Sequence, residues 1–231
     1  MSEIVDLSHR LESSLTIYPG DPAFRSCPHL TLSQDGCSVT SLSLGSHAGT
    51  HIDAPSHFLV DGKTVEEIPL SMLVGPAIVV DLTEQGRGRE LGDKEAIEWK
   101  DLEKYETIMK ETRGAILLLR TGWSKYWKER KYFDHPYVSA DAARRIVDTG
   151  VRVIGVDTLS PDETVLEEDG NAEYPVDAFG FHRVVLGAGA VIAENLANLD
   201  KIQNGEWTIS LLPLKIELCD GSPVRACAWR R

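Results

Sequence analysis

Three histidines and an aspartate crowd into eleven residues of this chain: His47, His51, Asp53 and His57, within Ser46-His-Ala-Gly-Thr-His-Ile-Asp-Ala-Pro-Ser-His-Phe58. Imidazole and carboxylate are the usual ligands of zinc, manganese or iron in hydrolytic sites, so the H-x3-H-x-D-x3-H spacing reads as a metal centre. A lone histidine beside a carboxylate is ordinarily a hydrogen-bonded pair. His9, His29 and His135 have no such cluster around them and are read as structural. Gly49 and Pro55 argue against a regular helix. In an extended strand the step from His47 to His51 spans about 13 Å, which strains the reach of two imidazoles to one ion. A bend at Ala48-Gly49-Thr50 removes that difficulty, and glycine permits it. His51 and Asp53, two apart, then share one side of the chain.

An ion held there would lower the pKa of a water towards ~7 and polarise an amide or ester carbonyl. His57 lies close to the tight H-x3-H-x-D core yet outside it, free to act as general acid and base. His182 stands apart from the other histidines because Glu194 follows it at the end of an apolar run. Alone, Glu194 reads as an exposed strand-end acid. Buried, it would need a partner cation, which a second metal would supply. Asp157 and Asp162 are read either as acids that orient a ligand imidazole or as turn formers near Ser160-Pro161.

The elements that must position these residues are mostly strands. Short runs rich in β-branched residues recur at 4–7, 40–44, 77–82, 115–119, 151–156, 191–194, 208–212 and 224–228. Helices are expected at 93–106 and at 139–149, the second with Ser139 as N-cap and Gly150 as C-cap. A short third one is expected at 178–186, stopping at Gly187-Ala-Gly189. Strands with helices between some of them predict an α/β fold, a mixed sheet or barrel-like core with flanking helices, in a single domain over residues 1–231. The stretches 85–92 and 160–175 are read as loops, either functional lids or plain surface excursions.

Composition narrows the partners. The 231 residues carry 36 acidic and 24 basic side chains, a formal charge of −12, with 42% hydrophobic and 26% charged residues. Such a balance argues against nucleic acid or an anionic membrane surface as partner. No basic-then-apolar leader opens the chain, and no apolar run approaches the ~20 residues that span a bilayer, so the expected compartment is the cytoplasm. Cys27, Cys37, Cys219 and Cys227 lack C-x-x-C spacing and are expected to be buried free thiols. The five tryptophans are expected in the core or at an oligomer interface.

The segment His47-Ala-Gly-Thr-His-Ile-Asp-Ala-Pro-Ser-His57 closely resembles the signature of the cyclase-like metal-dependent hydrolases, a family that includes bacterial kynurenine formamidases and isatin hydrolases. Val5-Asp-Leu-Ser8, Tyr18-Pro-Gly-Asp21, Gly155-Val-Asp-Thr158 and the stretch from His182 to Leu196 follow in that family's order. The resemblance implies a swivelling β/β/α fold and a homodimer or homotetramer. It implies a divalent metal centre, two zinc ions per chain with manganese as the alternative, on His47, His51, Asp53, His182 and Glu194. It further implies that Asp53 bridges the ions and that His57 is the catalytic acid/base. Tyr18 falls where the formamidases carry a substrate-lining tryptophan.

The activity so implied is hydrolysis of a small amide, N-formylkynurenine first, as in tryptophan catabolism. An isatin-type cyclic amide or lactone, or a metal-dependent cyclase or dehydratase reaction, is the alternative. A binding module without turnover fits less well, because a structural site has no need of a spare His57 and structural zinc prefers cysteine-rich coordination.

Overall fold

A computed structural model of the chain describes residues 3–166 and 178–230. In chain order its strands are β1 (Glu3–Asp6), β2 (Arg25–Leu30), β3 (Val39–Ser43), β4 (His51–Asp53), β5 (Val74–Asp81), β6 (Ala96–Ile97) and β7 (Ile116–Arg120). There follow β8 (Tyr137–Val138), β9 (Val153–Val156), β10 (Val191–Glu194), β11 (Thr208–Ser210), β12 (Gly221–Pro223) and β13 (Cys227–Arg230). The helices are α1 (Leu32–Asp35), α2 (Glu84–Arg87), α3 (Trp99–Leu102), α4 (Glu106–Glu111), α5 (Ala140–Asp148) and α6 (Gly180–Gly187).

Among the described residues, nine strands form one mixed sheet in the order β1-β13-β11-β5-β7-β9-β10-β4-β12. Its centre is parallel, with β5, β7, β9 and β10 side by side. Antiparallel partners extend it in both directions. The strands β12 and β13 lie near opposite ends of this order, yet only residues 224–226 separate them in the chain. So short a link spans at most about 14 Å, so the sheet must curl until its two ends approach. The result is the mixed α/β half-barrel with flanking helices that the strand-rich pattern predicts.

The apolar runs divide between two cores. In β7, Leu117 and Leu119 face the helices and pack with Ile154, Ile192, Ile146 and Phe181. Ile116 and Leu118 face the inside of the curl with Ile52, Val153, Ala193 and Ile209. Successive side chains of a strand point to opposite faces, so a strand buried on both reads as a continuous apolar run.

Helix α5 forms as expected: the Ser139 hydroxyl accepts a hydrogen bond from the Ala142 amide at 3.3 Å, and Gly150 follows the end at φ 98°. Helix α6 starts two residues later than expected and ends in Gly187-Ala-Gly189, with Gly189 at φ 70°.

Several expectations need correction. The helix expected over 93–106 begins only at Trp99, where Glu98 and Asp101 form a capping box, and its turns run on to Glu111. Ala96–Ile97 instead pairs in parallel with Tyr137–Val138, an edge pairing that local periodicity does not reveal. The strand expected at 224–228 is divided, because this is where the chain passes from β12 at one end of the sheet to β13 at the other.

The cysteines are free but none is buried: Cys27 and Cys37 are exposed, Cys219 and Cys227 half-buried. The first two lie in the arm formed by β2, α1 and β3, whose strands are exposed almost throughout. The loop expected at 85–92 begins inside α2, and part of 160–175 falls outside the described residues. Trp99, Trp123 and Trp207 are buried, while Trp127 and Trp229 are half-buried.

Leu117→Ala tests this packing. It removes a fully buried side chain from the centre of the sheet and is expected to lower stability by about 2–5 kcal/mol in urea unfolding. A loss under about 1 kcal/mol would mean that β7 is not the core strand described.

Candidate metal centre and catalytic site

The site stands where β4 pairs antiparallel with β10. The register sets His51 against Glu194 and Asp53 against Ile192. Ile52 points into the curl, so His51 and Asp53 lie on the opposite, helix-bearing face together with Ile192 and Glu194. Just before β4 the chain bends at Gly49, whose φ of 67° is the left-handed conformation that glycine adopts without strain. The bend brings His47 back so that its Nδ1 lies 2.7 Å from Asp53 Oδ1. Gly221 of β12 lets the ring lie this close, since a Cβ there would meet His47 Cε1 at 2.8 Å.

His182 arrives from α6. Asp162 accepts hydrogen bonds from the Phe181 amide at 2.8 Å and the His182 amide at 3.0 Å, capping the start of that helix from outside. The same carboxylate lies 2.6 Å from His182 Nδ1 and turns the ring so that Nε2 faces the acids, 3.3 Å from Glu194 Oε1 and 3.5 Å from Asp53 Oδ2. His51 is fixed in the same manner: Nδ1 lies 2.8 Å from the Gly49 carbonyl oxygen, which can only accept. When the ring is neutral, Nε2 is therefore the lone-pair atom, 3.2 Å from Asp53 Oδ1 and 3.3 Å from Glu194 Oε2.

Asp53 and Glu194 are 1% and 6% exposed, so two carboxylates are buried side by side between imidazoles. Burial by itself would raise both carboxyl pKa values, but the facing imidazoles hold both low, Asp53 well below the ordinary range. Conversely, burial would lower His47 and His51, and the carboxylates beside them, Asp220 and Asp53 for His47 and Asp53 and Glu194 for His51, instead lift them to about 9 and about 10. The cluster therefore demands positive charge, which protons can supply or a cation can.

The unpaired atoms of the site are placed to receive a cation. His51 Nε2, Asp53 Oδ2 and Glu194 Oε1 are buried without a hydrogen-bond partner. Leaving such atoms unsatisfied costs about 1–3 kcal/mol each, a large part of the ~5–15 kcal/mol that stabilises a domain. Donor atoms of His51, Asp53 and Glu194 converge within 4.8 Å of one another, and so do those of His47, Asp53 and His57. The two groups share Asp53. Nitrogen and carboxylate donors so arranged fit divalent metal ions.

All six residues expected to hold metal or move protons therefore meet in one place, although Glu194 is buried rather than at an exposed strand end. His57 follows β4 on a turn at Pro55–His57 and is the most exposed of the imidazoles at the cluster, at 29%. Tyr18 lines the adjoining cavity of about 220 Å³ with Phe58, Leu159 and Phe179. Asp162 takes the orienting role that the sequence left open. Asp157 does not reach the histidines: it accepts from the Thr121 and Gly122 amides, both at 2.8 Å, and ends β7.

Of the histidines read as structural, His135 is buried with Nε2 2.7 Å from Thr164 Oγ1. His9 stacks on Trp127 at 4.1 Å, and burial pushes its pKa down to about 4. His29 is exposed on the arm.

One residue of the site has no signal in the sequence. Asp220 places Oδ2 2.9 Å from His47 Nε2 and 3.2 Å from His57 Nδ1, joining a candidate ligand to the candidate acid/base. Hydrogen bonds from His47 and then His57 hold its carboxyl far below the usual range. In Cys219-Asp-Gly-Ser-Pro223 it reads as a turn aspartate, and only the pairing of β12 with β4 brings it here. A larger cleft of about 710 Å³ opens elsewhere, lined by Arg120, Lys125 and Lys131. Those cations are already matched by Asp81, Glu90 and Asp93, and no donor set converges there, so the smaller cavity is the candidate site.

Two substitutions test the centre. Asp53→Asn, which removes the shared carboxylate, is expected to abolish zinc or manganese binding in titration calorimetry. Asp162→Asn leaves the donors in place but loosens His182, and metal affinity is expected to fall about 10–100-fold. Undiminished affinity in both would mean that the cluster is not a metal site.

Comparison with known proteins agrees with this geometry. The family profile described as "Putative cyclase" matches residues 5–163, more than half of the chain. The kynurenine formamidase of Bacillus thuringiensis (strain Al Hakam) is 34% identical over 229 residues, covering 97% of this chain and 96% of the relative. Among solved structures, isatin hydrolase A from Labrenzia aggregata superposes with a TM-score of 0.81 at 28% identity, covering 99% of this chain and 93% of that one. A protein of Bacillus stearothermophilus described as a predicted metal-dependent hydrolase gives a TM-score of 0.73 at 26% identity, with both chains covered completely. A profile match of this extent, with a relative one-third identical along nearly the whole length, establishes that the chain belongs to the cyclase family.

Proposed function

We propose that this protein is a metal-dependent hydrolase of small aryl amides, with N-formylkynurenine as its first candidate substrate and formate and an aryl amine as products. The observation that carries this reading is the buried cluster of His51, Asp53 and Glu194 with three unpaired donor atoms, opening on an aromatic cavity beside His57. The near full-length likeness to a kynurenine formamidase supports the choice of amide. We assign His47, His51, Asp53, His182 and Glu194 as ligands. Because Asp53 converges with His51 and Glu194 on one side and with His47 on the other, we favour two ions, zinc ahead of manganese, with His57 at the edge of the second group kept for proton transfer. When bound, the metal supplies a Lewis acid for the amide carbonyl and makes a water nucleophile available near neutral pH.

The chain's own residues do the rest. Asp220 accepts from His57 Nδ1, so that ring carries its proton there and Nε2 is the atom that takes a proton from the attacking water. The same atom then hands the proton to the leaving amine. Tyr18, Phe58 and Phe179 form an apolar wall suited to an aryl ring, and the cavity of about 220 Å³ beside the donors suits a small substrate.

We read the protein as a cytoplasmic homodimer or homotetramer. The free thiols support the compartment. Support for self-association comes from the β2–β3 arm, since a two-stranded hairpin is marginal in water by itself and this one exposes Leu32, Val39 and Leu42. No helix among the described residues is long and apolar enough to cross a membrane.

The deciding experiment is turnover of N-formylkynurenine, followed optically, by protein loaded with zinc or manganese. Hydrolysis is expected, and His57→Ala is expected to keep its metal while losing about 100-fold or more in kcat. No hydrolysis by metal-loaded protein would overturn the formamidase reading and make isatin-type cyclic amides the next substrates to try. Unchanged kcat in the variant would remove His57 from the mechanism.

A further inference from the structure

The cavity beside the donor cluster is chemically lopsided. Its outer wall is apolar, formed by Tyr18, Phe58, Leu159 and Phe179. Beyond the metal donors a single charged side chain, Asp21, stands among its described lining residues, and none of those is a lysine or arginine. Tyr18-Pro-Gly-Asp21 has the residue pattern of a type II turn, with Pro19 second and Gly20 third at φ 94°. The turn is closed by the Asp21 amide donating to the Tyr18 carbonyl at 3.0 Å. The backbone turn therefore sets both Tyr18 and Asp21 beside the cavity, and its closing hydrogen bond does not use the Asp21 carboxylate. Its donor atoms do not converge with either of the two metal-ligating groups. Burial lifts its carboxyl above the ordinary value.

A carboxylate partly stripped of water at the side of an aromatic slot gains from a cationic partner and repels another carboxylate. We infer that Asp21 is the specificity residue of this site: it selects aryl substrates that carry an ammonium group on the arm beside the ring, over neutral ones and over those carrying only a carboxylate. The inference deepens the aryl-amide reading and rests on it for the chemistry of the substrate, but it is testable by binding alone.

Three aryl ketones of one skeleton serve as probes: kynuramine with an ammonium arm, ortho-aminoacetophenone with no charge, and ortho-aminobenzoylpropionate with a carboxylate arm. Their dissociation constants are measured calorimetrically on metal-loaded protein and on the Asp21→Asn and Asp21→Glu variants. The wild type is expected to bind kynuramine about 10-fold tighter than the neutral ketone, and the carboxylate weakest. Asp21→Asn is expected to bring the first two within about 3-fold with metal content unchanged, and Asp21→Glu to restore part of the preference.

Absence of an ammonium preference in the wild type, an equal loss for all three probes in Asp21→Asn, or loss of metal from that variant would each overturn the assignment. Because turnover is not measured, a protein that keeps the ammonium preference but cleaves no formanilide would sink the amide reading and leave the role of Asp21 standing.

Discussion

Two carboxylates buried side by side govern this structure. Asp53 and Glu194 sit on neighbouring antiparallel strands, almost wholly removed from water, where neither could stay ionised without positive charge beside it. The surroundings can be understood as the answer to that demand. Gly49 bends the chain so that His47 returns to Asp53, the Gly49 carbonyl turns His51, and Asp162 both caps α6 and turns His182. His51 and His182 each spend one imidazole nitrogen on these outer partners and turn the other to the acids, and His47 does the same with Nε2 on Asp220 and Nδ1 on Asp53. That division is what a metal ligand requires, because only the lone pair can bind and the proton on the far nitrogen keeps it aimed inward.

The sheet makes such a site possible. Its parallel centre is packed by apolar side chains on both faces, and the polar groups of the site stand at the carboxyl end of β10, on β4 and at the start of α6. Ligands of open α/β sheets bind at this end of the strands, where loops diverge and leave space. The curl that brings β12 against β4 adds Asp220, which reaches the candidate acid/base from the strand edge. The tight turn at Tyr18-Pro-Gly-Asp21 then closes the cavity with one ring and one carboxylate. Tyr18 and Asp21, the segment from His47 to Phe58, His182 with Glu194, and Asp220 thus come from distant parts of the chain and meet beside one strand pair.

Elements with a strong local signature were legible in advance. The apolar runs of β5, β7, β9 and β10 and the capped helix α5 lie close to where periodicity and capping put them, since burial on both faces or a serine cap leaves its mark within a few residues. The arm strand β2, the short β4 and β12, and the β6–β8 pair were not legible. They are brief, exposed or polar, and they exist as strands only because a partner from elsewhere pairs with them. The helix expected at 93–106 failed for the same reason, its first residues being claimed by an edge pairing with β8.

For the site the same boundary holds. His47, His51, Asp53 and His57 could be named from residue type and spacing because a bend and one short strand carry them all, so their proximity is a local property. The likeness to a known family extended this to His182 and Glu194. What joined Asp162 to His182, Glu194 to His51, and Asp220 to His47 and His57 is strand register and helix docking between segments 20 to 173 residues apart. No local pattern encodes such a distance. The chain's own order therefore specified which chemistry was available, and the packing of the curled sheet decided which aspartates would orient it and which, like Asp157, would only end a strand.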